Sequence, residues 1–444
     1  MNNNKIITKL RGISALLAVI LILLCLTACD MDWSGQQSSQ SGAGGTQSTP
    51  QTDPDSDAVE DIFAPLDLID KLFRENTLFE LDDEALIEAV LKGYVEGTGD
   101  RYAEYFTDEE YAALVDDSKG NLVGVGISVI QGSKENCIEI INVIPNSPAL
   151  EAGVLPGDKI TYIGIGEDRI AVADVGFTIA LDMLRGVEGS IAEFTVERDG
   201  KEIEFAIERK KVTMVSVSHH VYVREGEKIG IVEISEFDLT TPLAFEAAIE
   251  ELLDEGCKYF VFDVRNNPGG DLASITAVLS YFLNEDDIVI RVSDRNGNMS
   301  QSSIKPQTYV GNYAGCSIIK SKIGQYKGLN CAVLTNENTA SAAELFSAVL
   351  KDYDISFTVG TTTFGKGTMQ TTFLLANRGY KGALKLTTKY YYPPFSDSYE
   401  GKGIEPNVCV EISEELKDKS LYLLTDEEDN QLNSAINELK SRTK

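Results

Sequence analysis

The hydrophobic period changes several times along the chain. An apolar run over residues 13–26 follows a short basic stretch with Lys5, Lys9 and Arg11. Residues 30–57 have no apolar period and are rich in Ser, Gln, Gly, Thr, Pro and Asp, which predicts a disordered tether. From 58 to 120 the apolar positions recur at helical spacing, as in Leu66, Ile69, Leu72 and Phe73, and again in Leu86, Ile87, Val90 and Leu91. Thr107-Asp108-Glu109-Glu110 offers the N-cap of a further short helix. From Leu122 short β-like runs take over, at 122–129, 137–143, 192–198 and 202–208, with helices after Asn146-Ser147-Pro148 and over 176–184. Beyond residue 211, apolar strands at 228–234, 259–264, 331–335 and 355–359 alternate with helices at 242–255, 272–283 and 341–353, which predicts an α/β core up to 412. Residues 413–444 read as a polar tail of helical character.

Composition narrows the function classes. The 444 residues suit two to four domains at about 150 residues each. With 39 basic and 70 acidic residues the net charge is −31, which argues against a nucleic-acid partner and disfavours an electrostatic grip on anionic lipid. The two histidines, His219 and His220, are adjacent and diverge on any regular element, which disfavours a His-based triad or a His-rich metal site. The run over 13–26 is short of the about 20 residues of a membrane span and carries signal-peptide flanks. Leu26-Thr27-Ala28-Cys29 resembles the bacterial lipobox. That resemblance implies a signal peptide over 1–28, a lipidated Cys29, a tether over 29–57, and domains at the extracytoplasmic face of the cell membrane. An ordinary secretory signal or an uncleaved anchor are the alternatives. Of the other cysteines, Cys25 leaves with the signal, and Cys137, Cys257, Cys316, Cys331 and Cys409 show no CxxC pair and no zinc spacing. No metal and no cofactor are predicted.

Three stretches of the last domain carry candidate chemistry. Asp263-Val264-Arg265-Asn266-Asn267-Pro268-Gly269-Gly270 lies between a strand and a helix. It reads either as a plain connection or as a nest of N–H groups suited to an oxyanion. Asn338-Thr339-Ala340-Ser341-Ala342-Ala343-Glu344 opens a helix. Ser341-x-x-Glu344 is a capping box, and Ser341 is also a candidate nucleophile at a strand-to-helix turn. Thr363-Phe364-Gly365-Lys366-Gly367-Thr368-Met369-Gln370 is close to a phosphate loop, but Gly367 stands where Ser or Thr would hold magnesium, and a β-like run comes next. A lysine between glycines can instead serve as a base, because burial disfavours its charged form. Gln370 could orient the amine.

Residues 121–210 resemble a PDZ domain, on Asn146-Ser147-Pro148-Ala149, Ala152-Gly153 and Leu155-Pro156-Gly157-Asp158-Lys159-Ile160. The resemblance implies capture of a peptide C-terminus by strand addition, with Val123-Gly124-Val125-Gly126 as the carboxylate loop. The ordered set of helical lead-in, PDZ and core resembles the C-terminal processing peptidases, or tail-specific proteases. Asp100-Arg101-Tyr102 with Tyr105, Lys389-Tyr390-Tyr391 and Gly401-Lys402-Gly403-Ile404-Glu405-Pro406-Asn407 extend the match. It implies a mixed α/β fold with a helical N-terminal segment, an inserted PDZ domain and an α/β protease core. It also implies Ser341 as nucleophile, Lys366 as general base, Gln370 as its orienting partner, Gly270 and Ala342 as backbone oxyanion donors, and Arg185 as a coupler of PDZ and core. Ala343, Val264 and Tyr390-Tyr391-Tyr392-Pro393-Pro394 depart from the family pattern. The expected function is an exported serine endopeptidase that acts near the C-termini of protein substrates, with a homodimer left open. The rival is a non-catalytic PDZ scaffold with a protease-like core.

Overall fold

The computed structural model describes residues 63–442 apart from 118–120, 132–136, 145, 214, 417–418 and 420. The signal segment, the tether and Cys29 lie outside the described residues. Among those described, no helix is long and apolar enough to cross a membrane.

Six strands form a central sheet, in the order Val217–Arg224, Glu227–Ile234, Tyr259–Asp263, Asn330–Thr335, Ser356–Gly360 and Val408–Cys409. The first pair is antiparallel and every later pair is parallel. Parallel strands are covered on both faces, so they read as unbroken apolar runs. Successive side chains then enter opposite layers. Phe260, Phe262 and Val333 share a core with Phe245 and Phe346 of the helices Thr241–Asp254 and Ala342–Asp352 and with Phe282, just after the helix Leu272–Ser280. Val261, Ala332, Leu334 and Phe357 face the other way, onto Leu432, Ala435, Ile436 and Leu439 of the helix Asn430–Arg442.

That helix corrects the polar-tail expectation: it is the second covering layer of the sheet. Its apolar stripe is a single row at i, i+3, i+4 and i+7 on an otherwise polar helix, too narrow to stand out in composition. Arg265 ties its start to the sheet, lying 2.5 Å from Asp263 and 2.6 Å from Asp429.

A second, antiparallel sheet is built on the strand Ala383–Tyr392. It pairs with Thr368–Leu374, with Ile288–Asp294 and, at one end, with Glu104–Phe106 from the N-terminal region. That region otherwise forms the helices Phe63–Asn76, Asp83–Gly97 and Asp108–Asp117, as its period predicts.

Residues 125–207 have a core of their own. Ile127–Gln131, Ile138–Val143, Lys159–Ile163, Ile191–Arg198 and Lys201–Glu208 make one antiparallel sheet. Ile138, Ile140, Ile160, Phe194 and Val196 pack with Phe177 and Leu184 of the helix Phe177–Leu184. The chain enters along Asn121–Gly124 and leaves along Lys210–Thr213, and these two segments pair with each other to close the neck of the unit.

Candidate active site

Three connections leave the carboxyl ends of neighbouring parallel strands, where open α/β sheets place their ligands. They come after Tyr259–Asp263, Asn330–Thr335 and Ser356–Gly360. These connections are the three stretches whose residues suggest chemistry, and the strand order makes them neighbours.

Ser341 caps the helix Ala342–Asp352 with φ +55° and ψ −118°. A non-glycine residue held in a sparsely populated region costs on the order of 1–3 kcal/mol and persists only where its surroundings enforce it. Glu344 supplies much of that enforcement. It is fully buried, and its Oε2 accepts both the Ser341 N–H and the Lys366 N–H at 2.8 Å. Its Oε1 accepts the Gly365 N–H at 2.7 Å and the Thr363 hydroxyl at 2.6 Å. Burial pushes this carboxyl above its usual range, against the pull of those four bonds. One carboxylate therefore joins the turn of the candidate nucleophile to the loop of the candidate base.

Lys366 is buried, and its Nζ lies 4.7 Å from the centroid of the Tyr102 ring. Beside it, Gly365 has φ +90°, and a Cβ there would fall 2.7 Å from the Gly403 nitrogen, so only glycine lets the two loops meet. The Tyr391 hydroxyl donates to the Lys366 carbonyl at 2.6 Å and lies 3.5 Å from Ser341 Oγ. Tyr399 donates to the Ser341 carbonyl at 3.4 Å. Ser341 and Lys366 thus share one buried site. Gly367 leads directly into the strand Thr368–Leu374, so the helix that a phosphate loop requires is not there.

Gln370 is on that strand and is buried. Its Nε2 donates to Thr387 Oγ1 at 3.1 Å and to Thr368 Oγ1 at 3.3 Å. Thr387 is in turn held by Asp100, whose carboxylate accepts the Thr387 N–H at 2.8 Å and its hydroxyl at 3.0 Å.

The glycine loop closes the remaining side. Gly269 has φ +111°, and a Cβ on it would fall 2.8 Å from Ser341 Cβ and 2.9 Å from the Ala342 nitrogen. The loop is pinned by Phe237, whose N–H donates to the Gly269 carbonyl at 2.8 Å and whose carbonyl accepts the Asp271 N–H at 2.7 Å. Gly270 therefore adjoins the turn of Ser341, and Ala342 opens a helix, where N–H groups have no intrahelical acceptor. Asp271 caps the helix Leu272–Ser280, and burial pushes its carboxyl up to about 6.

The other candidates lie elsewhere. Val123 and Gly124 fall within the neck, opposite Lys211 and Lys210, which leaves Val125 and Gly126 as the turn into the strand Ile127–Gln131. Their carbonyls accept the N–H groups of Ala149 and Ile144 at 2.8 and 3.0 Å. Arg185 is exposed, and its ion-pair partner among the described residues is Asp182, 3.5 Å away within the same unit. Of the described cysteines, Cys137, Cys257, Cys316 and Cys331 are buried and Cys409 is exposed. The sequence pattern gives no warning of Tyr399 or of the reach of Glu344 to Gly365 and Lys366. These contacts join segments that are far apart in the chain.

Residues 228–410 match the family model described as Peptidase family S41. The chain is 30% identical over 327 residues to the "Probable CtpA-like serine protease" of Staphylococcus haemolyticus (strain JCSC1435), covering 73% of this chain and 60% of that one. It is 28% identical over 368 residues to the "Carboxy-terminal processing protease CtpB" of Bacillus subtilis (strain 168), covering 82% of this chain and 70% of that one. The chain thus spans about 60% of the length of the staphylococcal relative. Among solved structures, a chain assigned to the S41 proteases from Bacteroides fragilis NCTC 9343 matches with TM-score 0.53 at 18% identity, over 89% of this chain and 100% of that one, which is a likeness of fold.

Proposed function

The chain carries a domain of peptidase family S41 over residues 228–410, and from that premise we propose that it is a serine endopeptidase that cuts near the C-termini of protein substrates. The observation that carries the proposal is the Glu344 carboxylate, which holds the Ser341 N–H and the Lys366 N–H on one oxygen. In the proposed reaction Ser341 Oγ attacks the carbonyl carbon while Lys366 Nζ takes its proton. The oxyanion is met by the N–H groups of Gly270 and Ala342. As the C–N bond breaks, the lysine ammonium returns its proton to the leaving amine. Water then repeats the sequence on the acyl-serine.

The unit over 125–207 serves, on this proposal, as a PDZ domain. The strand Ile127–Gln131 is at the sheet edge, and its Ile127 and Val129 pack on the same core as Phe177 and Leu184 of the helix Phe177–Leu184. The Gly126 carbonyl is turned inward to Ile144, so across the planar trans peptide the Ile127 N–H faces outward. A peptide C-terminus added at this edge would meet donors there. Arg185 is the proposed coupler of this unit to the core, and Leu26-Thr27-Ala28-Cys29 supports export and lipid anchoring outside the cytoplasm.

The test is cleavage of an unfolded, casein-type protein by the wild type, Ser341→Ala and Lys366→Met. Both variants should fold and lose cleavage; retained cleavage in either overturns the mechanism. A peptide with a free C-terminus should bind better than its amidated form, and equal affinity removes the PDZ assignment.

A further inference from the structure

We propose that the segment Asp100-Arg101-Tyr102 supports the general base: the Tyr102 ring receives the ammonium that Lys366 becomes, and Asp100 fixes which way the Gln370 amide points. The inference rests on the proposed Ser341–Lys366 mechanism. The pairing of Glu104–Phe106 with Ala383, Leu384 and Lys385 delivers the preceding turn to the site. Tyr102 is 7% exposed, with its ring centroid 4.7 Å from Lys366 Nζ. Its buried hydroxyl makes no hydrogen bond of good geometry, so the ring rather than the phenol is what the site uses. Arg101 stacks on the same ring, 4.6 Å from its centroid, and lies 3.8 Å from Glu400. The other Glu400 oxygen accepts the Gly367 N–H at 2.6 Å, so the segment also grips the lysine's loop.

A ring suits this place better than a carboxylate would. The base must be neutral at rest and charged once it has taken the serine proton. A carboxylate against Lys366 would hold it charged in both states. The π face attracts the ammonium without supplying a full countercharge.

Asp100 acts through hydrogen-bond logic. Its carboxylate only accepts, so the Thr387 hydroxyl must give its proton to Asp100, as the 3.0 Å bond shows. That hydroxyl can then only accept from Gln370, 3.1 Å away. The amide must present Nε2 to Thr387, which leaves Oε1 as the end able to accept from an ammonium.

The experiment is the pH dependence of kcat and kcat/KM for the full chain in detergent, using the unfolded substrate, for Tyr102→Leu, Tyr102→Phe, Asp100→Asn and Thr387→Val. Tyr102→Leu should lower kcat by about tenfold or more with KM unchanged, the size of a desolvated cation–π contact. It should also move the acid limb of kcat/KM to lower pH, because the ring favours the charged lysine. Tyr102→Phe keeps the ring and should keep the wild-type limb and rate. Asp100→Asn lets the Thr387 hydroxyl turn and the amide flip, and with Thr387→Val it should lower kcat at constant KM. A limb that stays put or moves up in Tyr102→Leu overturns the role of the ring, as does a Tyr102→Phe loss equal to that of leucine. Wild-type kcat in both Asp100→Asn and Thr387→Val overturns the role of Asp100. Ser341→Ala and Lys366→Met run beside them: cleavage retained there sinks the underlying mechanism, whereas cleavage lost there with silent Tyr102 and Asp100 variants sinks only this inference.

Discussion

Replacing Gly269 by alanine tests the site where it is most tightly built. The residue has φ +111°, and the added methyl would sit 2.8 Å from Ser341 Cβ and 2.9 Å from the Ala340 oxygen and the Ala342 nitrogen. Two costs arise. A positive φ charges a side-chain-bearing residue about 1–2 kcal/mol. Forcing a methyl into packed backbone adds about 1–3 kcal/mol. A control separates them: Gly297 has φ +79° and nothing within 4 Å of its virtual Cβ, so Gly297→Ala should show the first cost alone. Gly269→Ala should therefore lose about 2–5 kcal/mol in urea unfolding, and exceed Gly297→Ala by about 1–3 kcal/mol. The clash is relieved only by moving the glycine loop or the Ser341 turn, and a displacement near 1 Å costs about 10²-fold in rate. Cleavage should fall by that order in Gly269→Ala and stay at the wild-type level in Gly297→Ala. Equal stability of the two variants, with wild-type cleavage in both, would refute the close approach of the loop to Ser341.

Two further perturbations probe the fold around the site. Arg265→Met strands the buried carboxylate of Asp429 and the partly buried one of Asp263, 2.6 and 2.5 Å from the guanidinium; it should cost about 3–5 kcal/mol by denaturant unfolding, and a loss under about 1 kcal/mol would mean that these ion pairs do not hold the last helix. His220 is drawn above its ordinary 6.5 by its hydrogen bond to Asp426, against burial. Since the folded value is the higher one, the stabilisation is complete below 6.5 and is lost as pH rises through the folded value. His220 is 42% exposed, so solvent screening keeps the effect small; Asp426→Asn should flatten it, and identical pH slopes for both proteins between roughly pH 5.5 and 8 would rule it out.

How much of this could be read from the chain depends on the range of each interaction. The three loops were legible because each ends an apolar strand of 259–264, 331–335 or 355–359, and local pattern carries that signal. Their adjacency was not, since strand order depends on pairings such as Tyr259 with Asn330. Ala383–Tyr392 escaped the pattern because most of its residues are only half-buried, with Ala383, Lys385 and Tyr391 alone fully inside. No apolar run marks a strand of that kind. The helix Asn430–Arg442 escaped because its apolar stripe is a single row. Asp100 and Tyr102 appeared only as part of a family pattern. What they touch, Thr387 and Lys366, lies at the other end of the chain.

The pair Ser341 and Glu344 shows why one motif supported two interpretations. A serine with a glutamate three residues later starts a helix, and the glutamate half of that box is present, with Glu344 accepting the Ser341 N–H. The caps Asp82, Ser147 and Asp271, whose side chains accept N–H groups of the first turn, have extended backbones: φ −92° and ψ 105°, −87° and 158°, and −80° and 136°. Ser341, at +55° and −118°, does not. A serine that only caps has no cause to depart from the extended region, where its oxygen already reaches the first turn. The departure is held by contacts from other segments: the methyl-sized gap left by Gly269, the Tyr399 hydroxyl and a glutamate whose remaining bonds go to the Lys366 loop. The capping box and the proposed nucleophile are therefore not competing accounts of Ser341. The cap fixes where the helix starts, and the unusual dihedral, which no residue pair encodes, is what brings that start against the lysine loop.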